Sequence, residues 1–256
     1  MKYTNIFDTH AHYDDKQFDK DRPDLLMRLH NEEGIERIVN IGCDAKSNMD
    51  GISLTIRYPF VDCTVGYHPN QSDTAKENYI EILAKQAALP RVRAIGEIGL
   101  DYHWDTPRDI QMKVFKEQLE LAKALDMPVV IHDREAHADV LEQLKHYRPK
   151  GIIHCFSGSA ELAEELQKLG FYFGIGGPVT YPNAKKTVRA AAAISAERIV
   201  LETDSPYLAP QPFRGKRCNS SMIPAAAETL AAIKGMDTQK FIDLCNENGK
   251  RAYEML

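Results

Sequence analysis

Eight short apolar runs alternating with segments of helical periodicity constrain this chain more than any other feature. The runs cover residues 6–12, 37–42, 60–66, 92–97, 128–132, 151–156, 171–177 and 198–204. Between them, helical spacing is read over residues 22–33, 45–57, about 74–89, 107–126, 135–147, 160–169 and 183–193, with two closing helices near 223–234 and 239–255. Strands that are apolar on both faces and separated by helices belong in a parallel sheet with both sides covered. The expected fold is an α/β TIM (β/α)8 barrel, and 256 residues suit one such domain spanning 1–256. An open doubly wound sheet is the competing architecture. Chemically distinctive residues finish strands one, three, four, five, six and eight, and only a closed barrel brings all those ends to one mouth.

The first run closes in His10-Ala11-His12. Strand side chains alternate faces, so His10 and His12 project to the same side and supply half of a four-coordinate metal shell. Of nine histidines, five (His10, His12, His68, His132 and His154) fall at or near strand ends, where Glu97 and Asp204 also lie. His10, His12, Glu97, His132, His154 and Asp204 are more ligands than one tetrahedral ion needs. They suit two divalent ions, with a carboxylate bridging centres about 3.5–4 Å apart. Zinc, magnesium and manganese are the candidates, and a mixed nitrogen and oxygen set suits zinc, manganese or iron better than magnesium. Glu97, between Gly96 and Gly99, ends a buried strand, which a carboxylate tolerates only when paired or metal-bound. Asp204 precedes Ser205-Pro206 and also suits a turn cap. His68 stands open between a catalytic and an ordinary turn residue. Asp8 shares parity with the histidines and is expected to orient one of them. Cys155 faces away from His154 and reads as packing.

Later loops carry Arg134, Tyr207, Arg214, Lys216 and Arg217, with Tyr102, His103 and Trp104 after the fourth strand. Arginines with aromatics beside metal ligands suit a phosphate and a stacked base. Arg134, Tyr207, Arg214 and Arg217 are therefore the candidate substrate contacts, while Lys216 reads as a solvated charge. The net charge of -5 excludes a surface that binds polyanions throughout, so a nucleic-acid contact is local. No apolar run is long enough to span a bilayer, and residues 1–5 lack the pattern of a secretory leader. A soluble cytoplasmic protein is expected. The five cysteines contain no Cys-x-x-Cys pair and read as reduced, mostly packed thiols.

Across essentially its whole length the sequence resembles the TatD family of metal-dependent hydrolases. The matching blocks are His10-Ala11-His12, Gly66-Tyr67-His68-Pro69, residues 96–102, Ile131-His132, residues 154–158, residues 201–208, Arg214-Gly215-Lys216-Arg217 and Glu247-Asn248. The resemblance implies a TIM barrel with two divalent ions and deoxyribonuclease activity, often 3′ to 5′ exonuclease, with DNA repair as the setting. By position it assigns His10, His12, Glu97 and Asp204 to one ion, and Glu97 as bridge with His132 and His154 to the other. Many relatives continue the basic loop with Asn-Glu-Pro, whereas Cys218-Asn219-Ser220-Ser221 follows here.

The expected substrate is DNA, as single strands or 3′ ends, with no membrane partner, and the sequence identifies no protein partner. The expected reaction is phosphodiester hydrolysis by a metal-activated water, with Asp204 taking a proton. The rival is a metal-dependent amidohydrolase or esterase acting on a small substrate. Such enzymes commonly bridge their ions with a modified lysine at the fourth strand, where this chain has Glu97. A non-catalytic metal-dependent nucleic-acid binder is a further rival, disfavoured by the intact ligand set.

Overall fold

The computed structural model describes residues 3–256. Met1 and Lys2, part of the opening read as lacking a leader, lie outside the described residues. Eight strands form one parallel sheet whose order follows the chain. They are β1 Ile6–Ala11, β2 Ile35–Asn40, β3 Val61–Val65, β4 Val92–Asp101, β5 Val129–Arg134, β6 Gly151–Ile153, β7 Tyr172–Ile175 and β8 Ile199–Leu201. The sheet closes because the chain beyond β8 pairs with β1: the Asp204 N–H donates to the His10 carbonyl (2.9 Å), and the His12 N–H to the Ser205 carbonyl (2.7 Å). The expected barrel is the observed one.

Nine α-helices surround it among the described residues: α1 Arg22–Glu32, α2 Ala45–Arg57, α3 Tyr79–Ala87, α4 Arg108–Ala124, α5 His137–Tyr147, α6 Ala160–Lys168, α7 Lys185–Ala193, α8 Ile223–Lys234 and α9 Thr238–Ala252. Capping chemistry fixes several starts. The Asp44 carboxylate accepts from the Ser47 N–H at 2.7 Å while the Asp44 N–H donates to the Ser47 hydroxyl, a reciprocal box that opens α2. The helix expected from about residue 74 differs. Pro69–Thr74 forms a 3-10 turn that Ala75 leaves in extended conformation, and α3 starts only at Tyr79.

The core has two parts. One residue from most strands (Phe7, Val39, Ala94, Val130, Ile152 and Val200) meets Ala252 and Tyr253 in a small cluster that we assign to the barrel interior. The alternate positions, among them Ile6, Ile38, Ile131, Ile153 and Leu201, pack with the helices in the larger one. Each fully buried aliphatic chain there contributes about 1.5–3 kcal/mol of transfer free energy. No helix among the described residues is long and apolar enough to cross a membrane.

Two irregularities aim the mouth. Between Asp8 and Ala11, β1 advances three residues while β2 advances two, from Ile38 to Asn40. Between Ile95 and Ile98, β4 likewise gains one residue on β5. An extra residue shifts the side-chain alternation by one. Phe7 and the histidines can then both point inward, and Glu97 is re-aimed into the mouth. Asp8 is thereby put out of phase with His10, contrary to the parity read from the sequence.

Candidate metal centre and active site

The C-terminal ends of the strands enclose a cavity of about 650 Å³. His12, His68, Glu97, His132, His154 and Asp204 line it together with Asp101, Cys43, Trp104, Arg134 and Tyr207. Glu97, only 3 % exposed, is central. Its Oε1 lies 2.7 Å from His132 Nδ1, 3.8 Å from His68 Nε2 and 3.9 Å from His154 Nε2, and its Oε2 lies 3.5 Å from His10 Nε2. Across the mouth, Asp204 Oδ1 is 3.3 Å from His12 Nε2, 3.7 Å from His10 Nε2 and 3.8 Å from His154 Nε2. The six candidate ligands are thus brought together.

The hydrogen bonds set the tautomers. The His12 Nδ1–H donates to the Ile41 carbonyl at 3.3 Å, and Nε2, 3.3 Å from Asp204 Oδ1, donates to that carboxylate and would have to give up its proton to take a cation. His68 is the reverse: its Nδ1 accepts the Asn70 N–H at 3.1 Å, so Nε2 carries the hydrogen that faces Glu97. His68 is therefore arranged as a hydrogen-bond donor. Burial, reinforced by the neighbouring His132, pushes it down to about 3 and keeps it neutral. Burial also opposes a charged His132, yet hydrogen bonds to Asp101 (3.0 Å) and Glu97 outweigh it and lift that ring to about 10. Glu97 is held well below the usual carboxylate range, because the imidazoles of His68, His154 and His10 overcome the penalty of burial.

The donor set suits divalent cations. The Nε2 atoms of His10 and His12 lie 3.3 Å apart beside Asp204, a convergence of ligand atoms that a cation would satisfy. Ligand atoms within 4.8 Å of one another come from His10, His12 and Asp204; from His10, Glu97 and His154; and from His68, Glu97 and His132. His132 and His154, expected to share an ion, do not share one of these groups. The His154 ring instead stacks on His10, with centroids 3.4 Å apart.

Supporting carboxylates that sequence reasoning did not single out are Asp101, on His132 Nε2, and Glu202, whose Oε1 lies 3.2 Å from His154 Nδ1 and accepts the Cys155 N–H. Asp101 sits four residues after Glu97 and Glu202 two before Asp204, same-face spacings that could have revealed both. Asp8 does not orient an imidazole. It accepts from Ser220 Oγ, from Thr203 Oγ1 and N, and weakly from the His10 N–H, tying β1 to the chain after β8. Cys43, 3.8 Å from Glu97 Oε2, was also missed.

The candidate substrate contacts divide. Arg134 and Tyr207 line the cavity. The basic loop does not reach it. Arg214 stacks on Tyr181 at 4.2 Å, and Arg217 forms a two-point pair with Asp21 (2.8 and 2.5 Å) over the Phe18 ring. Their charges are committed to packing and pairing within the fold.

Three similarities bear on these residues. The chain is 40 % identical over 254 residues to the uncharacterized metal-dependent hydrolase YabD of Bacillus subtilis, covering 98 % of this chain and 99 % of that protein. It is 32 % identical over 264 residues to the 3′-5′ ssDNA/RNA exonuclease TatD of Salmonella typhimurium, covering 98 % and 100 %. The crystal structure of YjjV, a TatD homologue from Escherichia coli, superposes with a TM-score of 0.92 at 29 % identity and 98 % coverage of both chains. The model of the TatD-related DNases matches residues 7–254. With the barrel and its imidazole-rich mouth, these matches place the chain in the TatD-related DNase family of metal-dependent hydrolases.

Proposed function

We propose that this protein is a metal-dependent deoxyribonuclease that shortens single-stranded DNA from its 3′ end, with DNA repair as the setting that family membership suggests. The observation that carries the reading is the seat of Glu97, whose two oxygens face different groups of imidazoles, as a carboxylate shared between two cations requires. His10, His12, Glu97 and Asp204 would hold one divalent ion, and Glu97, His132 and His154 the other. When bound, zinc, manganese or magnesium supplies Lewis-acid charge and a water of lowered pKa.

The chain's own groups do the rest. Asp204 is ionised, since the His12 hydrogen bond and the charge of His154 outweigh its burial, and it accepts a proton from the attacking water. His68 donates its Nε2 hydrogen to a phosphate oxygen. Arg134 lies on the cavity with no carboxylate at salt-bridge distance among the described residues, and it holds the phosphate. A relative named as a 3′-5′ ssDNA/RNA exonuclease supports the polarity and the single-stranded substrate.

The test is product analysis of 5′-labelled single-stranded DNA, run beside a panel of small cyclic esters and amides. Wild-type and Glu97→Ala proteins are compared in Mg²⁺, Mn²⁺ and Zn²⁺. The expected result is a metal-dependent ladder shortening from the 3′ end and lost in the variant. Turnover of a small ester or amide with DNA untouched would overturn the substrate assignment in favour of an amidohydrolase or esterase.

A further inference from the structure

Large aromatic side chains are normally covered, because each buries 150–250 Å² on folding. Among the described residues, Trp104 (55 % exposed) and Tyr207 (50 %) are the only aromatic rings counted with the exposed large hydrophobic side chains. Both line the one cavity that holds the candidate metal ligands. Trp104 follows β4 and Tyr207 follows β8, strands that lie four apart in either direction around the closed ring of eight. The two rings therefore stand on opposite rims, with Glu97 and Asp204 between them. Each is held by its neighbours. The Tyr207 hydroxyl donates to Asp15 Oδ2 at 3.0 Å, and the His103 ring, itself 3.1 Å from Glu135, meets Trp104 edge-on at 5.3 Å.

We infer that Trp104 and Tyr207 form a two-sided base clamp that seats one unpaired nucleobase on each rim and the scissile phosphate over the ligands between them. This rests on the nuclease reading of the same site and deepens it. The recognised unit is a dinucleotide step of single-stranded nucleic acid, because within a duplex stacked neighbours cover the faces of each base and pairing holds it in the helix. Stacking on an aromatic face is tolerant of base identity, so cleavage follows strandedness more than sequence.

Charge gives the strand its direction. Asp14, Asp15 and Asp44 line the cavity on the β1 and β2 side next to Tyr207, whereas Arg134 follows Trp104 around the mouth at the end of β5. A backbone running on past Tyr207 would meet carboxylates; one leaving past Trp104 meets the Arg134 guanidinium, the carboxylates on that side, Asp101 and Glu135, being engaged by His132 and His103. The terminal nucleoside thus rests on Tyr207, and the body of the strand departs over Trp104 and Arg134.

Trp104 is the only tryptophan in the chain, so its fluorescence reports this rim alone. The experiment titrates the metal-loaded protein with a hydrolysis-resistant phosphorothioate oligodeoxynucleotide in three forms: single-stranded, blunt duplex, and single-stranded with abasic positions at the two terminal residues. Hydrolysis of the matching phosphodiester strands is followed in parallel. Quenching by the single strand, and little by the other two, is expected. Trp104→Leu and Tyr207→Leu should each raise KM by about 5- to 150-fold with a smaller change in kcat, and Phe at either position should restore most of the loss. Removing only the terminal base should blunt the effect of Tyr207→Leu and leave that of Trp104→Leu. Equal quenching by abasic strands, or single strands hydrolysed with Trp104 emission unmoved, would overturn the clamp while the nuclease reading stands. Failure of the wild-type protein to cleave any strand takes both down.

Discussion

His68 and His132 stand with ring centroids 4.4 Å apart yet are driven in opposite directions by their neighbours. Burial and the neighbouring His132 keep His68 neutral, with the Asn70 N–H on its Nδ1, while against burial Asp101 and Glu97 together hold a proton on His132. Two substitutions separate the roles. His68→Ala should lower kcat by about 10²- to 10³-fold, the usual cost of removing one hydrogen-bond donor to developing charge. Its metal content, measured by elemental analysis, should stay at the wild-type ratio; loss of an ion would make His68 a ligand. Asp101→Asn should leave the fold intact, drop the His132 pKa from about 10, and weaken metal binding by about 10- to 100-fold in a chelator competition. The histidines were legible because His-x-His and strand-terminal imidazoles are rare patterns. Asp101, Glu202 and Asn70 were not, because a residue that acts on another's far nitrogen is recognised by contact, and contact follows from register.

Register is set at the level of the element, where β1 gains one residue on β2 between Asp8 and Ala11 and β4 gains one on β5 between Ile95 and Ile98. In β4 the strand runs on past the expected end at Glu97 to Asp101. Gly99 permits this: its φ is +147°, and a Cβ there would lie 1.9 Å from the His132 carbonyl oxygen. Hydrophobic periodicity located all eight strands, but periodicity cannot place a bulge, which is why Asp8 was assigned to the wrong face. The basic loop shows the same limit. Its arginines were legible as charges and not as partners of Asp21 and Tyr181, which are distant in sequence. Arg217→Ala should therefore act on stability. The pair is partly exposed, so a loss of about 1 kcal/mol is expected in urea melts. The Arg217 hydrogen bond holds Asp21 below the usual carboxylate range. A depressed carboxylate stabilises above its unfolded pKa of 3.8, and that share disappears as pH falls through the folded value. The gap between wild type and Arg217→Ala should be widest at neutral pH and narrow toward pH 3. A variant that melts like wild type but loses DNA binding would return Arg217 to the substrate contacts.

At the scale of the whole molecule, the mouth draws ligands from β1, β4, β5, β6 and the chain after β8, so a cation bound there links segments spread over most of the barrel. An ion that binds the folded chain and not the unfolded one stabilises it by about 2.7 kcal/mol at a hundred times its Kd. For a chain of this size that is a rise in Tm of roughly 5–10 °C. Protons compete for the same atoms. Without metal, His132 is raised from 6.5 to about 10 by Asp101 and Glu97 against the cost of burial. A raised imidazole stabilises the fold fully below its unfolded pKa and loses that contribution as pH climbs through the folded one. Metal-free protein should therefore lose this contribution between about pH 6.5 and 10. Metal loading must displace the same proton, so apparent affinity should rise about tenfold per pH unit over that range while one proton leaves per ion bound at His132. The melting curves of chelator-treated and zinc-loaded protein should consequently diverge as pH rises from 7 to 9. Calorimetric titration in buffers of different ionisation enthalpy counts the proton directly. A gap independent of pH, with no proton released, would show that His132 does not exchange its proton for the cation.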